Sequence, residues 1–384
     1  MIVIMVEHSA KEAAGGTGNV AARRRALRLS QAELATRCGV SRQFINLLEA
    51  GRTQPNVQLA MMLARVLGGT VEELFAGEPE RLELDGGNVL GDVRPVAGTR
   101  VVVGRVNGRW VTHVADTLDS LGGGFTPADG VVSVTDGQPR IELRRTFRQL
   151  EGNVIVAGCD PSLGLLRGLR AGAGEDGGRV CWVNASSSRA LQMLADGLAH
   201  VVGVHFGEED GAENLRRVRQ LDAGGRWEVL RFSRWEQGWM CRPEVARRFR
   251  GTEDLGLGRL RLINREEGSG MRLWITEQLV QAGVRSEGIK GFDVAGLSHW
   301  ECARQLLEGR GDVAAGPRVI AEAFGLNFIA VDRVAFDLVV PRALLDHGPV
   351  AALLDAVRGG GFQRDLAMLS GYEAAGLSEL RRRA

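Results

Sequence analysis

The sequence is poor in lysine, in paired cysteines and in the short motifs that mark phosphate-binding or hydrolytic loops. Its five cysteines (38, 159, 181, 241, 302) are far apart, contain no CxxC pair and are odd in number. Neither a disulfide framework nor a zinc site is expected from them, and a reducing, cytoplasmic setting fits best. Only Lys11 and Lys290 are lysines, so the basic residues are almost all arginine. There is no Walker lysine loop, HExxH or GxSxG, and "GAGEDG" (172–177) follows a helical stretch instead of a strand, the wrong context for a dinucleotide loop. The one early apolar run, "MIVIMV", is too short to span a membrane and lacks the basic flank of a signal peptide. Residues 1–18 are expected as a disordered tail. No cofactor, metal or membrane partner is expected, and the chain is not expected to be an enzyme.

What is present fits a soluble multidomain protein: 384 residues, 44% hydrophobic and 25% charged, with a net charge of +1. The charge is uneven. Between Val20 and Pro55 seven arginines face two glutamates, a net +5, which favours a polyanionic partner.

Within 19–77 the apolar spacing is helical and is cut into pieces near 20–28, 31–37, 42–49, 56–67 and 71–75. Ser30 with Glu33 forms a capping box, and Ser41 and Asn56 are further N-caps. Ala35 is small enough for two helices to cross, Gly39 allows a left-handed turn, and Val40 and Ile45 can pack the pair. Residues 29–75 resemble the helix-turn-helix domain of the Cro and phage-repressor (XRE) family: Gln31, Ala35, Gly39, Val40, Ser41, Ile45, Glu49, Gly51 and Pro55 stand where its pattern expects them. The resemblance implies a recognition helix from Arg42 to Ala50 entering the major groove, and a dimer on a two-fold operator. Arg42 and Gln43 are the base-reading candidates, Asn46 is placed for a base or a phosphate, and Gln31, Ser41, Arg52 and Thr53 are phosphate anchors.

Residues 78–94 lack periodicity and read as a linker. At 95–150 the period becomes two. "TRVVVGRV-NG-RWVTHV" is a hairpin turned at Asn107-Gly108, and "GVVSV-TDGQP-RIEL" is a second, giving a small β module. From 151 to 384 short apolar strands alternate with amphipathic helices in two groups, an α/β pattern of two lobes; two helices are expected to close the chain.

Several strand ends in this part carry donor-rich loops. "GCDPSLGLL" supplies Asp160 and Ser162, "NASSSRAL" supplies Ser186, Ser187 and Ser188, and "NREEGSGMR" supplies Ser269, Gly270 and Arg272 at a helix start. Ligands of open α/β sheets sit beyond the carboxyl ends of strands, so these loops can converge on one small-molecule site. His205 ends an apolar strand, where a histidine is more often hydrogen-bonded structure than a ligand contact, and it is kept as a candidate ligand residue; His299 is placed to line the cleft or cap a helix. Phe232, Trp235 and Trp239 read as a hinge or core cluster.

Residues 153–376 resemble the periplasmic-binding-protein-like domain related to molybdate that is attached to regulators and to molybdenum-cofactor enzymes. The resemblance rests on those loops together with "SSSRALQMLADGLAHVVGVHF", "WEQGW", "GDVAAG", "AEAFGLNFIAV", "FDLVVP" and the late "GY". It implies a type II two-lobed fold closing on a molybdate- or tungstate-like oxyanion or a pterin-type compound. The sequence departs from the pattern at Ser298-His299, where Thr-His is expected, and at Pro317. The expectation is a ligand-responsive one-component regulator. The alternatives are a DNA-binding protein whose C-terminal part only dimerises, and a molybdenum-cofactor-related enzyme.

Overall fold

The structure, a computed structural model, describes residues 18–75, 81–83, 96–116, 125–135, 138–171, 178–207 and 209–379. The tail expected at 1–18 (apart from Gly18), most of the 78–94 linker and the 172–177 stretch lie outside them.

Five helices form the N-terminal unit: α1 (Gly18–Ala26), α2 (Gln31–Cys38), α3 (Arg42–Glu49), α4 (Val57–Leu67) and α5 (Val71–Phe75). Ser30 and Glu33 close a full capping box on α2, Ser41 caps α3 and Asn56 caps α4. Each cap satisfies amides the first helical turn would leave unpaired. Gly39 ends α2 at φ 67°, a left-handed backbone in which a Cβ is strained. That turn lets Leu34, Ala35, Ile45 and Leu48 meet Leu63 and Leu67 in one core.

A five-stranded antiparallel sheet follows, built from β1 (Arg81–Glu83), β2 (Arg100–Val106), β3 (Arg109–Val114), β4 (Gly130–Thr135) and β5 (Gln138–Leu143), in the order β1-β5-β4-β2-β3. Strand β1 falls inside the stretch read as linker; three residues are too few to show a period of two. Alternation along β2 gives the sheet two apolar faces. Val101 and Val103 join Trp110, Ile141 and Leu143, whereas Val102 and Val106 pack with Ile155, Leu198 and Val202 of the next unit. Polar ties reinforce that seam: Asn153 donates to Val103 O at 2.7 Å, His113 Nε2 lies 2.9 Å from Leu198 O, and His200 Nε2 lies 3.1 Å from Arg105 O.

The remainder is α/β. In chain order it comprises α6 (Phe147–Glu151), β6 (Val154–Ala157), a 3-10 turn (Pro161–Gly168), β7 (Arg170–Ala171), β8 (Gly178–Val183), α7 (Ser187–Ala195), β9 (Val201–Val204), α8 (Ala212–Leu221) and β10 (Trp227–Cys241). Then come β11 (Leu262–Arg265), α9 (Gly270–Gln281), β12 (Ala295–Gly296), α10 (His299–Leu307), β13 (Val313–Pro317), α11 (Arg318–Ala323), β14 (Asn327–Pro341), α12 (Gly348–Arg358), α13 (Gly360–Ala367) and β15 (Tyr372–Glu379).

The sheet order is β12-β11-β13-β10-β14-β9-β6-β8-β7, with β15 also on β10. Strands β8, β6 and β9 are parallel and form the first lobe; β12, β11 and β13 are parallel and form the second. The 15-residue strands β10 and β14 run antiparallel through both lobes. β10 slips register between Arg231 and Ser233 and again between Gln237 and Gly238, bends placed where the chain passes from one lobe to the other. The chain does not close on two helices as expected. After α13 it returns as β15 to pair with β10, a partner about 140 residues upstream that local periodicity does not reveal.

Candidate DNA-reading helix and interlobe ligand site

Helix α3 buries Ile45 and Leu48 and leaves Arg42, Gln43 and Asn46 exposed. Asn46 lies four residues after Arg42 and three after Gln43, the spacings at which helical side chains are neighbours, so it joins the two residues expected to read bases in one polar patch. Ser41 and Arg52 are exposed and Thr53 is half-buried at the edges of that helix. Gln31 has a second duty: its amide donates to Glu49 Oε2 at 2.8 Å. Glu49 also holds Arg24, with Arg24 Nε 2.6 Å from Oε1 and Nη2 3.0 Å from Oε2. Burial pushes the Glu49 carboxyl up, but the donors from Arg24 and Gln31 outweigh it and leave it below its ordinary range. Part of the basic excess read from the sequence is therefore structural: Arg24 locks α1 to α3.

The second site lies where the carboxyl ends of both sets of parallel strands meet. From the first lobe come Asp160 and Ser162 after β6, Ser187 at the start of α7 and His205 after β9. From the second come Arg265 at the end of β11, Ser269 and Gly270 at the start of α9 and His299 at the start of α10. Trp235 and Gln237 come from the crossing strand β10, and Tyr372 from β15. All of these residues are buried, Asp160 at 0% and His205 at 1% exposure.

The two lobes touch here. The Ser188 amide donates to Gly268 O at 3.4 Å. A Cβ on Gly270 would stand 2.0 Å from the His205 carbonyl oxygen, so only glycine permits this approach. The rings of His205 and His299 are 6.3 Å apart, and Trp235 stands edge-on to both at 5.1 and 6.2 Å. Phe232, Trp235 and Trp239 all lie in the core, as their reading as a core cluster anticipates, and Trp235 also borders His205 and His299.

The serines turn inward more than their reading as ligand donors requires. Ser162 Oγ donates to Asp160 Oδ1 at 2.7 Å, and Ser187 Oγ bridges the His205 carbonyl and amide at 3.0 and 3.1 Å. Ser269 Oγ caps α9 by accepting from Arg272 N, and its amide donates to Glu266 O. Ser186 makes no side-chain cap. Arg272 turns toward its own lobe, donating to Arg265 O at 3.0 Å and lying over the Phe292 ring.

Other groups are left without partners among the described residues: Asp160 Oδ2, both ring nitrogens of His205, Ser233 Oγ, Trp235 Nε1 and both ends of the Gln237 amide. Buried polar groups are ordinarily satisfied, so this cluster marks a place where something else supplies hydrogen bonds. Burial pushes Asp160 up from the ordinary carboxylate range against the hydrogen bonds from Ser162 and Tyr372. It pushes His205 down to about 3 and His299 well below its usual value, with Arg265 adding to both. Burial works against the Arg265 charge too, but the Glu266 carboxylate, 2.8 Å from Nε and 2.9 Å from Nη2, more than restores it.

Cys159, His205 and His299 place one donor atom each within 4.8 Å of one another, close enough to consider a transition metal. Arg265 Nη1 stands 3.2 and 3.3 Å from the two ring nitrogens of His299, so a fixed guanidinium occupies the approach to one ligand. Sequence reading left out Cys159, Arg265, Gln237 and Tyr372 as lining residues. The available signal was polar residues interrupting strands that are otherwise apolar.

Two family profiles agree with this architecture. A family profile described as a helix-turn-helix matches residues 20–74, and one described as a PBP superfamily domain matches residues 171–358. An uncharacterized HTH-type transcriptional regulator of Methanothermobacter thermautotrophicus is 49% identical over 53 residues, covering 14% of this chain and 77% of that one. The uncharacterized protein YvgK of Bacillus subtilis is 24% identical over 222 residues, 58% of this chain and 71% of that one. Among solved structures, the sulfate-binding protein SubI of Mycobacterium tuberculosis is similar at 16% identity and a TM-score of 0.43, covering 59% of this chain and 88% of that one. The effector-binding domain of QuiR in complex with shikimate is similar at 10% identity and a TM-score of 0.39, covering 54% and 95%.

Fold and sites together define a DNA-binding regulator with a periplasmic-binding-protein-like ligand-binding unit. Through its N-terminal segment the chain belongs to the helix-turn-helix-type transcriptional regulators. Among the described residues no helix is long and apolar enough to cross a membrane.

Proposed function

We propose that the protein is a cytoplasmic one-component regulator that reads a two-fold operator as a homodimer and responds to a small molecule held between the lobes. The observation that carries this reading is the pairing, in one chain, of an exposed Arg42/Gln43/Asn46 face with a buried cluster of unpartnered polar groups at a seam between two lobes. The resemblance stated above implies a molybdate-like oxyanion or a pterin-type compound as the effector. A ligand that bridges the lobes favours the closed arrangement by its differential affinity and thereby biases the placement of the two DNA-reading heads.

The reading is non-enzymatic. The Ser162 hydroxyl is spent on Asp160 and the Ser187 hydroxyl on a backbone carbonyl, and among the described residues no histidine ring is hydrogen-bonded to a serine hydroxyl, so no serine there is activated. Operator selection from a random DNA pool, followed by footprinting with and without candidate effectors, tests the proposal. Recovery of no enriched sequence by the full chain would overturn it.

A further inference from the structure

Building on the ligand-sensing reading, we infer that the effector is an organic molecule presenting N–H donors, uncharged or cationic, held by the free oxygen of Asp160, and that it is not an oxyanion. Asp160 is satisfied on one oxygen only. Its Oδ1 is saturated, accepting from the Tyr372 hydroxyl at 2.7 Å, from Ser162 Oγ at 2.7 Å and from the Ser162 amide at 2.8 Å. Its Oδ2 accepts nothing, and among the described residues Asp160 forms no ion pair although it is wholly buried. A buried carboxylate oxygen without a donor is costly, and a ligand N–H is the group that removes the cost.

The positive charge an oxyanion needs is already committed. Arg265 is the buried cation of the site, and its guanidinium is engaged by both oxygens of Glu266, by Gly296 O at 3.1 Å and by His299. The Ser162 and Ser187 hydroxyl protons are spent within the protein. An anion entering here meets an unpaired acid and no uncompensated base, the arrangement like charges avoid. The remaining free groups suit a mixed edge: Gln237 offers one donor and one acceptor, His205 a neutral ring and Ser233 a hydroxyl, while the Trp235 indole supplies a flat face and an unpartnered Nε1–H beside them. A planar nitrogen heterocycle or an amidine can donate to Asp160 Oδ2 and Gln237 Oε1 as well as accept from these donors, whereas a tetrahedral oxyanion can use only the donors and leaves the buried acid unpaired beside it.

The test is thermal shift and calorimetric titration of the full chain with two sets of probes. One set is 2-aminopyrimidine, benzamidine and pterin; the other is molybdate, sulfate and phosphate; zinc is run alone. The expected result is that at least one probe of the first set raises the melting temperature and none of the second does. Asp160→Asn keeps the Oδ1 acceptor for Ser162 and Tyr372 but turns the free acceptor into a donor, and it should weaken the first-set probe at least tenfold. Gln237→Met, which leaves the Asp160 network untouched, should weaken it severalfold and guards against a folding defect in the first variant. Stabilisation by an oxyanion that survives Asp160→Asn, or by zinc in a manner lost in His205→Ala, overturns the inference while leaving ligand sensing intact. Failure of every probe to stabilise the wild type counts against both.

Discussion

The hydroxyl of Tyr372 donates to Asp160 Oδ1 at 2.7 Å across 212 residues of sequence. Tyr372 is the one tyrosine in the chain. It stands in register with Trp235 on β10, and the two rings stack at 6.3 Å. One side chain on the last described strand therefore orients the carboxylate after the first strand of the α/β unit and backs the indole beside it. Because β15 pairs with β10, that orientation depends on the crossing strands keeping their register.

Removing the hydroxyl with Tyr372→Phe leaves Asp160 Oδ1 to Ser162 alone and should cost roughly 1–3 kcal/mol, the usual range for a hydrogen bond to a group that can be charged. Urea unfolding at neutral pH measures it. The Asp160 carboxyl has a further signature. Its folded pKa is raised, so the stability it contributes is present below the ordinary aspartate value and is lost as pH rises through the raised one. Asp160→Asn removes that loss. The difference in unfolding free energy between variant and wild type should shift in favour of the variant on going from acid toward neutral pH, and a constant difference would show that Asp160 titrates normally.

Two other histidines report on the seam between the antiparallel sheet and the first lobe. His113 and His200 are each held down at about 4, chiefly by burial, with a single backbone carbonyl opposing it in each case. Their folded values are depressed, so the stability tied to their neutral form is present above the ordinary value of about 6.5 and is lost as pH falls toward 4. Each contributes on the order of 3 kcal/mol to that loss. The slope of unfolding free energy between pH 7 and 5 should therefore drop by about one proton in His113→Gln, whose amide can still donate to Leu198 O. An unchanged slope would place His113 in contact with solvent.

In the N-terminal unit the base-reading and structural arginines should separate cleanly. Arg42→Ala and Gln43→Ala leave the core untouched and should each relax discrimination at one operator position by roughly 1–3 kcal/mol. Arg24→Ala strands the Glu49 carboxylate, whose side chain is only 8% exposed, and should destabilise the unit by about 2 kcal/mol or more. Circular dichroism melts and quantitative footprinting on the same three variants distinguish the roles. Lost affinity with an unchanged melt is expected for the first two, and a lowered melt for the third.

The legibility of these features in the sequence follows their range. The caps at Ser30, Ser41 and Asn56, the turn at Gly39 and the Asn107-Gly108 hairpin are decided within four residues, and the structure has them where local chemistry puts them. The convergence of the 160, 187 and 269 loops follows from strand ends in an open sheet. The partners of each polar group do not. Ser162 and Ser187 looked like free donors because the atoms that consume their protons, Asp160 Oδ1 and His205 O, are set by tertiary packing. Arg265 is engaged from two sides by Glu266, its sequence neighbour, an orientation that tertiary packing sets. Tyr372 belongs to the late "GY" on which the resemblance rests, but nothing local shows that its hydroxyl reaches Asp160.

Gly270 gives the most direct access to lobe closure. The glycine sits at the first position of α9, and a Cβ there would lie 2.0 Å from the His205 carbonyl oxygen and 3.0 Å from its Nδ1. Its φ is not in the left-handed region, so alanine suits the helix itself and even improves its intrinsic propensity, by up to about 1 kcal/mol in a helix interior. The clash is therefore confined to the interlobe contact, where the neighbour is backbone and cannot swing aside. Gly270→Ala should keep the fold of each lobe and the DNA-reading helix but hold the lobes apart. Expected consequences are a larger radius of gyration in small-angle scattering, operator affinity unchanged without effector, and loss of the effector's influence on that affinity. Scattering indistinguishable from wild type, with the effector response retained, would mean that the contact between Gly270 and His205 is not part of the working closed state.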